Sequence, residues 1–215
     1  MKYAGIISLA IAAAVALTAC GKTDTAVIAA DGKAYEPLTV EGGGKALDEN
    51  GNLIVAAKDK VGKSVTQVLS EKYLIIDDNK LMAPAYDYEI PEDFSLKSSD
   101  ADPLLENKQG TIQINIVDKT ETAESCEEYA LKTYNAAKSA GLTFGEIESV
   151  TLKGLPMKRF GVKMQTGDGI QMITYGYFVQ VKNRILMITV TSKDGGITGV
   201  SQADEYVEGI DFAEY

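Results

Sequence analysis

The sequence predicts an α+β fold, an antiparallel sheet of meander type packed with helices and preceded by a small N-terminal segment. Three observations carry this. Four strand-like segments, Glu146–Leu152, Met157–Gln165, Ile170–Val181 and Ile185–Thr191, follow one another through joints of three or four residues. Parallel crossovers need about a dozen residues, so joints this short force antiparallel neighbours. Ser125 and Glu128 form a capping box ahead of a helical stretch that stops at Gly141. Ile197, Val200, Val207 and Ile210 then have the spacing of a closing helix. Strands and helices in separate runs of the chain make the class α+β.

Taken in order, residues 20–83 read as an N-terminal segment, part tether and part small α/β extension, and residues 84–215 as the main domain. Turn chemistry punctuates the first segment at Asp31-Gly32, Gly42-Gly43-Gly44 and Asn50-Gly51-Asn52. Asn50-Gly51, between Leu47 and Leu53-Ile54-Val55, is a hairpin signal. Val61, Val65, Val68 and Leu69 fall at i, i+4, i+7 and i+8 and predict an amphipathic helix. Tyr73–Ile76 predicts a strand stopped by Asp77-Asp78-Asn79. Tyr86, Tyr88 and Ile90 alternate with Asp87 and Glu89, and Pro91 ends the strand. Leu104-Leu105 lies in an acidic stretch that reads as loop. Ile112, Ile114 and Ile116 alternate with Gln113 and Asn115, a half-buried strand. The capped helix turns Cys126, Ala130, Thr133, Ala137 and Ala140 inward, a face small enough to sit close on a sheet.

The first twenty residues carry an address. Met1-Lys2 is a short cationic start, Ile6 to Ala16 is an apolar run broken only by Ser8, and small residues follow. That is the layout of a secretory signal, residues 1–19. The run is too short to cross the ~30 Å hydrocarbon core as a helix. Leu17-Thr18-Ala19-Cys20 resembles the bacterial lipobox. The resemblance implies diacylglycerol transfer to the Cys20 thiol, cleavage after Ala19 and acylation of the new amino group. Two or three acyl chains anchor stably where one is marginal. The expected location is therefore the cell membrane, facing outside the cytoplasm. Cleavage removes one cation, Lys2, and takes the net charge from −10 to −11. An acidic body is repelled by anionic lipid, so the acyl chains do the holding.

The element order also resembles a family. Tyr88-Glu89-Ile90-Pro91-Glu92-Asp93-Phe94 opens the domain, and Glu128-Tyr129-Ala130 lies in its first helix. Leu152-Lys153-Gly154-Leu155-Pro156-Met157-Lys158-Arg159 links two strands, and Ile185–Thr191 leads into the last helix. Together these resemble the PsbP-like α/β/α sandwich, over about residues 84–214. That family includes extrinsic binding and assembly factors and bacterial lipoproteins without an assigned role. The resemblance implies a binding module and transfers no functional residue position by position.

Composition excludes much chemistry. With no His, every Ser-His-Asp or Cys-His arrangement and every imidazole metal site is excluded. The net acidic chain has no cationic cluster with which to neutralise nucleic-acid phosphates. Once Cys20 is acylated, Cys126 has no disulfide partner in the chain. Cys126 opens a helix, where the dipole lowers a thiol pKa, but it lacks a base and reads as a small buried hydrophobe. Lys63-Ser64 and Ser192-Lys193 juxtapose the groups of a Ser-Lys dyad, yet neighbours on a strand point to opposite faces. Acidic clusters at Asp48-Glu49, Asp77-Asp78, Glu92-Asp93, Asp100/Asp102 and Glu127-Glu128 read as turns and solvated faces. Asp48–Asn52 offers oxygens around a glycine but lacks the spacing of a calcium loop. Gly42-Gly43-Gly44-Lys45 departs from a P-loop at its first glycine and after its lysine. Tyr175 and Tyr177 share one strand face, as a partner anchor if exposed or as core if covered.

The sequence thus predicts a membrane-anchored, extracytoplasmic, non-catalytic binding or assembly module. It needs no metal or cofactor, attaches through Cys20, and its partner is another envelope protein. A solute- or ion-binding lipoprotein serving a transporter is the alternative, and a hydrolase has the weakest support.

Overall fold

Short antiparallel joints dominate the architecture, as the strand spacing requires. The computed structural model describes residues 26–30, 32–37, 46, 48, 52–58, 61, 63–69, 72–98, 101–119 and 124–213. Its elements are β1 (Ala26–Ala29), β2 (Ala34–Pro37), β3 (Leu53–Lys58), β4 (Ser64–Leu69), β5 (Tyr73–Asp77), β6 (Lys80–Met82), β7 (Tyr86–Glu89), β8 (Phe94–Leu96), β9 (Leu104–Asn107) and β10 (Ile112–Asp118). Then come α1 (Cys126–Ser139), β11 (Thr143–Leu152), β12 (Leu155–Gln165), β13 (Gln171–Val181), β14 (Arg184–Lys193), α2 (Val200–Glu208) and β15 (Ile210–Phe212). The fold is mixed α+β, mostly antiparallel sheet with two helices. The strands form two sheets, β15-β7-β6-β5-β1-β2-β3-β4 and β11-β12-β13-β14-β10-β9-β8.

β11 to β14 form the meander the joints require. Lys153-Gly154 and Lys182-Asn183 make two-residue joints. Lys153 and Gly154 have φ of 52° and 79°, the left-handed pair that a two-residue hairpin of right-twisted strands demands. On one face of this sheet lies α1. Its capping box is formed: the Glu128 amide donates to Ser125 Oγ at 3.2 Å, and the Ser125 amide donates to Glu128 Oε2 at 2.9 Å. Ala130 and Tyr134 bury against Phe160 and Phe178, whose rings stack at 5.6 Å. The inward stripe differs from the expected small one. Tyr134 is buried and Ala140 is exposed, because the stripe follows i, i+4, i+8 from Cys126.

The opposite face is shared. Ala203 and Val207 of α2 cover part of it, and the eight-stranded sheet covers the rest through Leu74, Leu81 and Tyr88. These meet Leu105, Ile114, Tyr177 and Ile188 in one core. The second layer is thus only in part helical, which departs from a plain α/β/α sandwich. A second core, with Val27, Leu53, Val55, Ile75 and Met82, lies on the other side of β5 and β6, since strand neighbours alternate faces.

Three further expectations are corrected. Residues 64–69 are a strand, not a helix: β4 pairs along its length with β3 from Leu53↔Leu69 to Lys58↔Ser64. The valine and threonine content favours a strand, and an edge strand tolerates the irregular apolar spacing that mimicked a helix. Leu104-Leu105 belongs to β9, with Leu105 fully buried. The boundary at 83/84 falls inside a hairpin, because β6 and β7 pair as Leu81↔Tyr88, so one sheet runs across it. The Asn50-Gly51 turn lies outside the described residues. The amide of Ile54 donates to the Ala46 carbonyl, and Asp48 Oδ1 accepts from the Asn52 amide at 2.8 Å.

A cluster of charges ties the two sheets. Lys72, just before β5, pairs with Asp102 and donates to the Asp118 carbonyl at 3.3 Å. Arg184 Nη1 donates to Asp118 Oδ2 at 2.6 Å, with both side chains nearly buried. Such pairs specify geometry more than they add stability. Beside them the Tyr86 hydroxyl is buried with no hydrogen-bond partner among the described residues. Burial, then the Asp102 and Asp118 charges, holds its pKa well above the usual 10.0. An orphaned buried hydroxyl costs about 1–3 kcal/mol, so Tyr86→Phe is expected to leave stability unchanged or raise it by about 1 kcal/mol. Urea unfolding measures this; a clear fall in midpoint would show that the hydroxyl has a partner.

Candidate functional site

The site with the most concentrated chemistry lies where β11 loses register. β11 pairs with β12 at Thr143↔Val162 and Phe144↔Gly161, then resumes at Glu148↔Arg159. Gly145, Glu146 and Ile147 therefore oppose Phe160 alone, a bulge on an edge strand. Gly145 has φ +75°, a conformation glycine adopts at no steric cost. α1 braces the bulge: the Tyr134 hydroxyl donates to Glu146 Oε2 at 2.6 Å, and Lys138 Nζ to the same oxygen at 3.2 Å. The Tyr134 bond, followed by Lys138, holds the exposed Glu146 carboxyl below its usual value.

The bulge opens a cleft of about 180 Å³ lined by Phe144, Glu148, Arg159, Gly161, Tyr175 and Val200, among others. Phe144 lies across Gly161, where a Cβ would sit 2.4 Å from the ring. It meets Tyr175 edge-on, with centroids 5.8 Å apart. Phe144 stays 40% exposed.

One side of the cleft is a charge network. Arg159 Nη1 donates to both Asp204 oxygens at 2.7 Å, and Nη2 donates to Glu148 Oε2 at 2.5 Å. The Tyr177 hydroxyl donates to Asp204 Oδ1 at 2.7 Å. Burial first, then Asp204, pushes the Tyr177 hydroxyl far above its usual value. Burial opposes the Arg159 charge, but the bonds to Asp204 and Glu148 outweigh it. α2 brings Asp204 to β12 and β13 because Ala203 and Val207 dock its other side into the core. The network is charge-assisted, and it orients Arg159 firmly.

The candidates singled out from sequence mostly do structural work elsewhere. Cys20 and Gly42–Lys45 lie outside the described residues, as do Glu49, Asp100 and the Ser64 side chain. Ser192 is buried and accepts from the Ile197 amide at 2.7 Å, while Lys193 reaches Glu106 at 3.4 Å, so they form no dyad. Asp77 and Asp78 are exposed at the β5–β6 turn, and Glu92 and Asp93 are exposed before β8. Asp102 pairs with Lys72. Glu127 pairs with Lys158 at 2.9 Å. Among the described residues, no three His, Cys, Asp or Glu side chains gather as a metal site would need. Tyr177 is fully buried and Tyr175 half-buried, so of that pair only Tyr175 reaches the cleft. Sequence reading missed Phe144, Arg159 and Asp204. A glycine in mid-strand, Gly161, was the available signal of a close approach.

No protein-family model matches the chain, and no curated protein matches it. Among solved structures, a protein from Bacteroides thetaiotaomicron VPI-5482 is similar, with 13% identity and a TM-score of 0.46. The similarity covers 60% of this chain and 45% of that one, so the chain spans less than half of that protein's length. A likeness at this level assigns no family or activity.

Cys126 gives a direct test of reactivity. It is half-buried, and burial, followed by the Glu127 charge, pushes its thiol from the ordinary 9.0 up to about 11. The helix N-terminus therefore does not activate it. In a chain carrying Cys20→Ala, maleimide at pH 8 is expected to label the native thiol about tenfold or more slowly than the unfolded one. The thiol is neutral in both states below pH 9, so its contribution to stability is full there. Above pH 9 the unfolded state ionises first, and that contribution is lost as pH rises toward 11.

Proposed function

We propose that this chain is an extracytoplasmic lipoprotein, held to the cell membrane by acyl chains on Cys20, that works as a non-catalytic binding or assembly module for another envelope protein. The ordered tetrad Leu17-Thr18-Ala19-Cys20 behind the apolar run Ile6–Ala16 carries the reading. A PsbP-like framework is part of the proposal, supported by the four-stranded meander with α1 on one face and α2 on the other. The site chemistry supports binding over catalysis. Arg159 is engaged by two carboxylates, and the Cys126 thiol is held neutral, so neighbouring groups quiet one another instead of raising a nucleophile.

The transporter-linked solute binder keeps one observation in its favour, the cleft itself. At about 180 Å³ it is smaller than the pockets of roughly 300 Å³ and upward that enclose drug-sized ligands. It suits a side-chain tip or a very small solute. It lies at the β11 bulge, and its lining includes no residue of β1 to β6, where a second lobe would have to stand.

Cys20→Ala is expected to move the protein from the membrane fraction to the soluble fraction outside the cytoplasm and to abolish incorporation of labelled palmitate. Retention of the variant in the membrane, with label still incorporated, would overturn the anchor.

A further inference from the structure

We propose that the β11-bulge cleft is a receptor for an organic cation, an alkylammonium or guanidinium group presented by a partner's side chain or by a small amine. The proposal rests on the binding-module reading above, and it names the ligand chemistry of that module. Three features converge. Phe144 and Tyr175 form an aromatic corner, and Phe144 keeps 40% of its surface exposed above the glycine floor at Gly161. Cations are drawn to aromatic faces, most strongly where water is partly excluded. The rim is acidic: the Glu148 and Glu146 side chains are 58% and 77% exposed. Behind them, Asp204 takes the inner face of Arg159 through both of its oxygens.

The charges decide the sign of the ligand. Arg159 is the cation that lines the cleft, and Glu148 and Asp204 together exceed its charge. Glu146 is matched by Lys138. The neighbourhood is therefore net negative on a chain of net charge −10. An anion entering here would have to displace Glu148 from Arg159 and then face Asp204. A cation can take the outer oxygen of Glu148 without breaking either bond to Asp204. The carboxylates do not gather into a set of three, and two of the walls are carbon rings, which favours an organic cation over a metal ion.

The test is a titration of the full chain carrying Cys20→Ala, followed by amide NMR. The probes are n-butylammonium chloride, a capped Gly-Lys-Gly peptide, and sodium acetate as the anionic control at matched ionic strength. Both cations are expected to give saturable shifts confined to Phe144, Gly145, Glu148, Gly161, Tyr175 and Val200. Phe144→Leu is expected to weaken binding roughly 3- to 30-fold. Glu148→Gln should weaken it as well, and each variant's undisturbed spectrum away from the cleft confirms its fold. Gly161→Ala, which forces the Phe144 ring off its seat, is a second route to the same loss. Tighter binding of the peptide would identify a partner's lysine as the source. Binding of butylammonium alone would identify a small amine. Shifts spread over the acidic surface and unchanged by Phe144→Leu, or cleft shifts given by acetate, would overturn the proposal. The membrane location of Cys20→Ala is read separately, so failure of the anchor and failure of the cation site are distinguishable.

Discussion

Everything else in the molecule depends on one apolar layer, the core that the two sheets share. Leu74, Leu81 and Tyr88 from one sheet meet Leu105, Ile114, Tyr177 and Ile188 from the other. Each is buried to within a few per cent. Burying side chains of this size is worth about 1.5–3 kcal/mol each relative to exposure, far more than any surface ion pair on the chain. The layer also places the polar groups. Lys72 meets Asp102 because the two sheets are fixed against each other, while Asp118 meets Arg184 across the neighbouring strands β10 and β14. Asp204 reaches Arg159 because α2 is docked into the same layer by Ala203 and Val207.

The bulge follows from a different constraint. β11 is an edge strand of ten residues, and a long flat edge invites pairing with another chain. Three residues opposed to one break its register and turn Glu146 toward α1, where Tyr134 and Lys138 hold it. The same break leaves a hollow beside Gly161 that Phe144 fills only in part. Protection of the edge and creation of the cleft are thus one structural event. Phe144, Gly161, Arg159 and Tyr175 come from strands that the meander sets side by side, and α2 adds Asp204.

Much of the fold was legible because local physics dictates it. Joints of three or four residues fix antiparallel neighbours, and the Ser125–Glu128 box fixes where α1 starts. Alternation at Ile112, Ile114 and Ile116 fixes which face of β10 is buried. Where tertiary pairing decided, local pattern misled. Val61, Val65, Val68 and Leu69 satisfy a helical period, but pairing with β3 draws Ser64–Leu69 into a strand. Leu104-Leu105 looked like loop because its acidic surroundings hid a short strand held on both sides, by β8 and β10. Position 83/84 looked like a boundary because sequence cannot show that β6 and β7 pair across it. The cleft was least legible: Arg159 and Asp204 lie 45 residues apart in the chain, and nothing local announces their meeting.

The shared core makes the two sheets one cooperative unit and not a domain with an appendage. Native-state hydrogen exchange in increasing urea tests it most directly, read at the amides of Leu74 and Leu81 in one sheet and Ile114 and Ile188 in the other. All four are expected to reach the same opening free energy and the same urea dependence, that of global unfolding. Exchange at Leu74 and Leu81 through a separate, lower-energy opening, with Ile114 and Ile188 still protected, would contradict it.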